Sequence, residues 1–210
     1  ARINDLSSSF RADVIVDDLG FLNEPYFADG NLAKAVSDVA NDIVYVSSAG
    51  NAADGHYEAD FKQMNYQGGV LHNFSASSTP DPTMDIQISP DGYVVAVLQW
   101  NDQFGSSNND YDMGLVNDSE NEVIIFSEDL QDGSQDPIEF FCYHNNSFRS
   151  QTVKLAVERY SGLGRRLEMF IFGRDIEKEY NVAAGSIFGH AGVESAIAVA
   201  AINADRERDV

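Results

Sequence analysis

Two patterns of hydrophobic spacing alternate along the chain. In residues 12–20, Ala-Asp-Val-Ile-Val-Asp-Asp-Leu-Gly, a short β-branched run closed by Gly20 predicts a buried strand. After Pro25, Asp29 stands where it can cap a helix over 30–42, because Leu32, Val36, Val39, Ala40 and Ile43 recur at helical spacing. Ile43-Val44-Tyr45-Val46 predicts a second strand. It runs into Ser47-Ser48-Ala49-Gly50-Asn51, where small residues let something approach the backbone. Strand, helix and strand in so short a span imply a right-handed crossover and hence a parallel sheet.

From about residue 66 to 180 the spacing becomes an alternation of period two. Met84, Ile86 and Ile88 share one face of a strand; Val153, Leu155 and Val157 share a face of another, as do Leu167, Met169 and Ile171. Further strands are predicted at 70–74, 93–100, 112–117, 122–127 and 138–143. Turn signals such as Pro90-Asp91-Gly92, Gln131-Asp132-Gly133 and Ser161-Gly162-Leu163-Gly164 separate them. About eight such strands with no helical spacing among them read as an antiparallel β-sandwich. Ala196–Ile202 then forms a continuous apolar run that fits a strand buried on both faces. The expected fold class is therefore α/β: a partial parallel sheet built from residues 1–65 and 181–210, with a β-sandwich of about eight strands inserted at 66–180.

Charge narrows the function classes. Against 34 Asp and Glu stand 13 Lys and Arg, a formal charge of −21 at pH 7, which excludes binding to a nucleic-acid phosphate backbone. With 43% hydrophobic residues there is material for a core, yet no stretch approaches the roughly 18 apolar residues needed to cross a bilayer. The acidic excess suits a secreted or surface protein from a salty environment, although an intracellular one could carry it too; the expected location is extracellular or at the cell surface of a bacterium. Ala1 in place of Met points to a processed or excised chain. Cys142 is the single cysteine, so no internal disulfide forms, and its aromatic setting Phe140-Phe141-Cys142-Tyr143 reads as core rather than as a nucleophile.

The candidate chemistry is sparse. His56, His72, His144 and His190 match no zinc spacing and are expected in structural roles, His190 bonding backbone near the junction of the two parts. Asp102, Asn108, Asn109, Asp110 and Asp112 form the densest run of oxygen ligands. They read either as a calcium loop, with Asp102, Asp110 and Asp112 as ligands, or as a hairpin edge. Trp100 reads as a sugar platform or as core.

At Ala12 to Gly20, the helix at 30–42, Val44 to Asn51 and Ser195 to Ile202, the chain resembles the central part of subtilisin-like serine proteases. In that family a strand ending in Leu-Gly lines the substrate cleft, and the strand after the next helix ends in Ala-Gly-Asn, whose Asn donates to the oxyanion. The matching residues here are Asp18-Leu19-Gly20 and Ser48-Ala49-Gly50-Asn51. The segment Gly189-His190-Ala191 through Ala201 resembles the family's next core strand. Leu98-Gln99-Trp100-Asn101-Asp102 with Asn109-Asp110-Tyr111-Asp112 resembles the β-sandwich that some large members carry before it.

The resemblance implies a fragment of a serine endopeptidase with Asn51 in the oxyanion hole. The flanking segments Asp18-Leu19-Gly20 and Ser48-Ala49-Gly50 would hold a polypeptide substrate. Asp18 either faces that cleft and favours a basic substrate residue or is a solvated strand end. The family's catalytic Asp, His and Ser motifs are absent; the first two precede the region matched by Ala12 and the third follows that matched by Ile202. The chain is accordingly expected to be inactive alone, and its unpaired sheet edges to allow a homodimer. The rival expectation is a non-catalytic β-sandwich module that binds calcium, glycan or protein.

Overall fold

The computed structural model describes residues 2–117, 119 and 122–202. The order is α1 (Arg2–Ser8), β1 (Val14–Asp17), α2 (Asn31–Ala40), β2 (Val44–Ser48), β3 (His56–Asp60), β4 (Gln63–Tyr66), β5 (Gly69–His72), β6 (Met84–Trp100), β7 (Asp110–Asn117), β8 (Val123–Ser127), β9 (Ile138–His144), β10 (Gln151–Ser161), β11 (Arg166–Lys178) and β12 (Ile197–Val199). Single 3-10 turns occupy Ala52–Gly55 and Gly189–Gly192. The chain forms two compact units. One is built from the chain up to Asn51 together with the chain from Ile187, the other from Ala52–Ser186.

In the first unit β1, β2 and β12 form a three-stranded parallel sheet with β2 central, in register Ile15 with Tyr45, Asp17 with Ser47 and Val46 with Ile197. The helical spacing has its expected result: Ala33, Val36 and Val39 of α2 pack on Ile15, Tyr45 and Val193. The opposite apolar face, Val14, Val16, Val44, Ile197 and Val199, is 46–70% exposed. Ala196–Ile202 therefore departs from the expected doubly buried strand. Only Ile197–Val199 pairs, and nothing among the described residues covers its side chains. Asp29 does not cap α2 either. Gly30 is the N-cap, and the Glu24 carboxylate accepts from the backbone N–H groups of Leu32 at 2.8 Å and Ala33 at 3.4 Å.

The second unit holds a nine-stranded antiparallel sheet in the order β3-β11-β6-β10-β5-β4, with β7 beside β10, β8 beside β7 and β9 beside β6. β6 organises it. Its first half pairs with β10 and its second half with β9, while β11 accompanies both halves. The exchange of neighbours takes place at Pro90-Asp91-Gly92, where Asp91 adopts φ 59° and the β11 register shifts between Arg174 and Ile176. The expected turn is thus a kink inside one long strand. The alternating residues Met84, Ile86, Ile88, Val94, Ala96, Leu98 and Trp100 on β6 meet Met113, Leu155, Val157, Leu167 and Met169 in one core, so the sheet is sandwich-like around it.

These findings overturn the α/β expectation. The chain is mostly β, with 45% strand and 12% helix, a nine-stranded antiparallel sheet and a small three-stranded parallel one, and it is not a true α/β subtilisin-like fold. An α/β architecture needs helices on both faces of a parallel sheet. The described residues supply α2 on one face only, while period-two alternation governs most of the chain. Among the described residues, no helix is long and apolar enough to cross a membrane.

Candidate functional site

Because β1 and β2 run parallel, their carboxyl ends emerge together, and the residues that follow are placed at one end of the sheet. Asp18, Leu19 and Gly20 are exposed; Ser48 and Ala49 are half-buried, and Gly50 and Asn51 are exposed. The Ala49 N–H donates to the Val199 carbonyl at 2.9 Å, and the Gly50 N–H to the Ser48 hydroxyl at 3.1 Å. Gly50 takes φ +72°, a conformation that L side chains rarely adopt, so the chain turns there and presents Asn51. The Asn51 amide has no hydrogen-bond partner among the described residues, which leaves its N–H groups available to a ligand.

Directly beneath these ends lies a polar cluster that the spacing did not foretell. Asp17 closes β1, and its carboxylate accepts from the Ser47 hydroxyl at 2.6 Å, from the Tyr45 hydroxyl and from Nδ1 of His190 at 2.6 Å. One carboxylate thereby ties the ends of both strands to the 3-10 turn that precedes β12. Burial would raise the Asp17 pKa, but the hydrogen bonds from Ser47, Tyr45 and His190 outweigh it and hold the carboxyl below its usual range. Burial and the adjacent Asp17 charge push the Tyr45 phenol up. His190 is buried, and its Nε2 has no hydrogen-bond partner among the described residues. The expected backbone role of this side chain is thus replaced by a carboxylate pair. The visible signal was that each β-branched run ends in a polar residue, Val-Ile-Val-Asp and Val-Tyr-Val-Ser.

The acidic run of the second unit does not act as one group. Asp102 receives Ser107 at 2.9 Å, the Asn109 side-chain amide at 2.8 Å and Arg165 at 2.8 Å, so protein donors occupy its oxygens. Asp110 accepts a long bond from the Gln131 N–H at 3.3 Å. The carboxylate of Asp112, a residue 7% exposed, has no hydrogen-bond partner among the described residues. Burial raises its pKa to about 7, assisted by the charges of Asp110, Glu139, Glu158 and Glu128. Glu139, 1% exposed, is pushed by burial to about 7 despite bonds from Ser127 and Gln131. Among the described residues, no group of three or more His, Cys, Asp or Glu side chains is arranged to hold a metal ion.

Other sequence candidates resolve individually. His56 bonds the Val182 carbonyl at 2.6 Å, and His72 lies between the Tyr57 hydroxyl at 2.8 Å and the Lys62 N–H at 3.2 Å. Burial, with Lys62 nearby, lowers the His72 pKa to about 4. His144 is a half-exposed partner of Asp91 at 3.1 Å. Trp100 is fully buried, with its indole N–H on Ser107 at 3.1 Å, so it offers no sugar platform. Cys142 is exposed rather than core, because β9 turns Phe141 inward and its two neighbours outward.

No known family's sequence profile matches the chain, and no curated protein sequence matches it. Among solved structures it is similar to the CspB protease of Clostridium perfringens, with a TM-score of 0.60 at 11% sequence identity. The likeness covers 96% of this chain and 44% of that protein, so the chain spans less than half the length of the structure it matches. At this identity the likeness is one of fold, and what it supports is a protease-related fold.

Proposed function

We propose that this chain is part of a serine endopeptidase of the subtilisin type and supplies the oxyanion donor and substrate-binding edges, but not the nucleophile. The observation that carries the reading is Asn51. Its side-chain amide has no hydrogen-bond partner among the described residues, and it follows the end of β2 as the exposed Asp18-Leu19-Gly20 follow the end of the parallel strand β1. The fold likeness to a protease supports it, as does the uncovered apolar face of the parallel sheet, which a larger domain would bury. Neither feature demands the α/β architecture that the structure excludes.

In this reading an extended polypeptide lies along the backbone of Asp18–Gly20 and Ser48–Gly50, in the manner of an added strand. A Ser outside this chain attacks the scissile carbonyl, and a His takes its proton. As the carbonyl oxygen becomes anionic, the Asn51 side-chain N–H donates to it. Ser47 does not substitute for the nucleophile, since its hydroxyl is donated to Asp17 rather than to an imidazole. Asp18, exposed and free to approach a substrate cation, favours a basic side chain beside the scissile bond.

The test has two arms. The 210-residue chain alone should neither hydrolyse casein nor react with a fluorophosphonate. A longer protein carrying the flanking coding sequence should do both, and Asn51→Ala in it should lower kcat by about 10²–10³ with KM little changed. A longer protein that hydrolyses casein equally well with Ala at position 51 would refute the role of Asn51. A longer protein without any activity would refute the peptidase reading.

A further inference from the structure

Within the second unit β5, β10, β7 and β8, with the hairpin turn between β4 and β5, line an open cleft of about 440 Å³. Its walls are apolar at Leu71, Val116, Val123 and Phe126, and two carboxylates, Asp112 and Glu158, stand in it as direct cross-strand neighbours. The volume lies in the range of small-ligand sites. The floor is opened by small residues: Gly114 faces Ala156, and a Cβ at position 114 would meet the Phe126 ring at 2.7 Å and the Ile125 carbonyl at 2.9 Å.

The carboxylates are left uncompensated. Asp112 is more than nine-tenths buried and lines the cleft, and its carboxylate accepts no hydrogen bond from the described residues; the Glu158 carboxylate likewise has no ion pair or hydrogen bond among them. The basic residues on the same strand are committed elsewhere, Lys154 to Asp85 at 2.7 Å and Arg159 to Gln63 at 2.9 Å and to the Phe61 ring. A buried acid without a donor or counter-charge is costly, and it faces a cavity rather than packed protein. Asp110, Glu139 and Glu128 add negative field at Asp112. A cation entering the cleft relieves that field, and an apolar stem behind it fills the walls.

We propose that this cleft is a binding site for an organic cation, a primary ammonium or guanidinium group carried on an apolar stem, held by Asp112 and Glu158. The site is independent of the Asn51 reading and lies in the other unit. Asp112 makes the charge-assisted contact, Glu158 the second one, and Leu71, Val116 and Phe126 take the stem. The shared chemistry has two sources, a free alkylamine or the Lys or Arg side chain of a polypeptide.

The test is a titration of the ¹⁵N-labelled full chain, followed by amide shifts. The probes are N-acetyl-lysine methylamide, N-acetyl-arginine methylamide, n-butylamine and the uncharged control n-butanol. Saturable shifts at 112–116 and 156–158 with the cations, and at least about tenfold weaker binding of butanol, are expected for a charge-assisted contact. Tighter binding of the capped amino acids identifies a polypeptide side chain as the source, and tighter binding of butylamine a free amine. Asp112→Asn should weaken every cation by about tenfold or more, and Glu158→Gln by less, since it is the more exposed partner. Thermal unfolding of both variants confirms that they fold. Absence of any saturable shift, equal binding of butanol, undiminished affinity in folded Asp112→Asn, or a response to CaCl₂ but not to the amines would each overturn the proposal.

Discussion

Replacing Asp112 by Asn keeps the shape of the side chain and removes its charge, so it isolates what that charge does to stability. The folded protein holds the Asp112 proton up to a pH of about 7, whereas an ordinary Asp releases it near 3.8. Between these values the folded state binds more protons than the unfolded one, so the unfolding free energy falls as pH rises. The stability associated with the protonated group is fully present below pH ~4 and is lost as pH passes through 7. A shift of roughly three units corresponds to at most ~4 kcal/mol at pH 8. Asp112 shares its environment with Glu139, also raised to about 7, so part of this penalty reappears on the neighbour. Asp112→Asn should therefore stabilise the protein by about 2–3 kcal/mol at pH 8 and by close to nothing at pH 4. In melting temperature the gain at pH 8 is on the order of 5–10 °C. Calorimetry of both proteins at pH 4, 6 and 8, at fixed ionic strength so that screening is constant, reads the difference directly. A gap that does not change with pH, or a variant less stable than the parent at pH 8, would refute the assignment of the raised pKa to Asp112.

Three further outcomes are expected. Asp17→Ala leaves Ser47, Tyr45 and His190 without their common acceptor and should destabilise the chain by about 3 kcal/mol near pH 7. Because the Asp17 pKa is depressed, its contribution is present above the unfolded value and lost as pH falls through the folded one. Denaturant titrations of parent and variant should accordingly converge in acid. Glu24→Ala removes the acceptor for the first N–H groups of α2 and should cost about 1 kcal/mol in a urea melt, with the sheet's circular dichroism unchanged. Cys142 should react stoichiometrically with a maleimide in the native protein, since it is exposed on β9; protection until unfolding would contradict the strand's orientation.

The parts legible in the sequence are those governed by local periodicity. The alternation in 84–88, 93–100, 153–157 and 167–171 places these residues inward, and all four segments line the core of the second unit. The helix after residue 30 and the strand that delivers Ser48–Asn51 follow from the spacing of Val36, Val39 and Val44. Boundaries set by non-local partners were not legible. β3 and β4 begin before residue 66 and have little apolar alternation of their own, being formed by pairing with β11 and β5. Pro90-Asp91-Gly92 has the composition of a turn, yet β11 runs past it as a continuous partner and makes it a kink.

What the sequence by itself determined is therefore which side of each strand is apolar, where α2 runs, and that a Gly-Asn pair stands at a strand end. Only the tertiary structure decided which strands are neighbours and what each buried polar group meets. Asp17 and His190 are separated by most of the chain, and their pairing exists because β1 and the turn before β12 flank the end of β2. Asp112 looked like one member of an acidic run with Asp102, but Arg165, Ser107 and Asn109 satisfy Asp102 while Asp112 faces an apolar cleft. Periodicity reports the face on which a residue lies. The environment of a charge is summed over groups from several elements, and only long-range strand pairing brings those together.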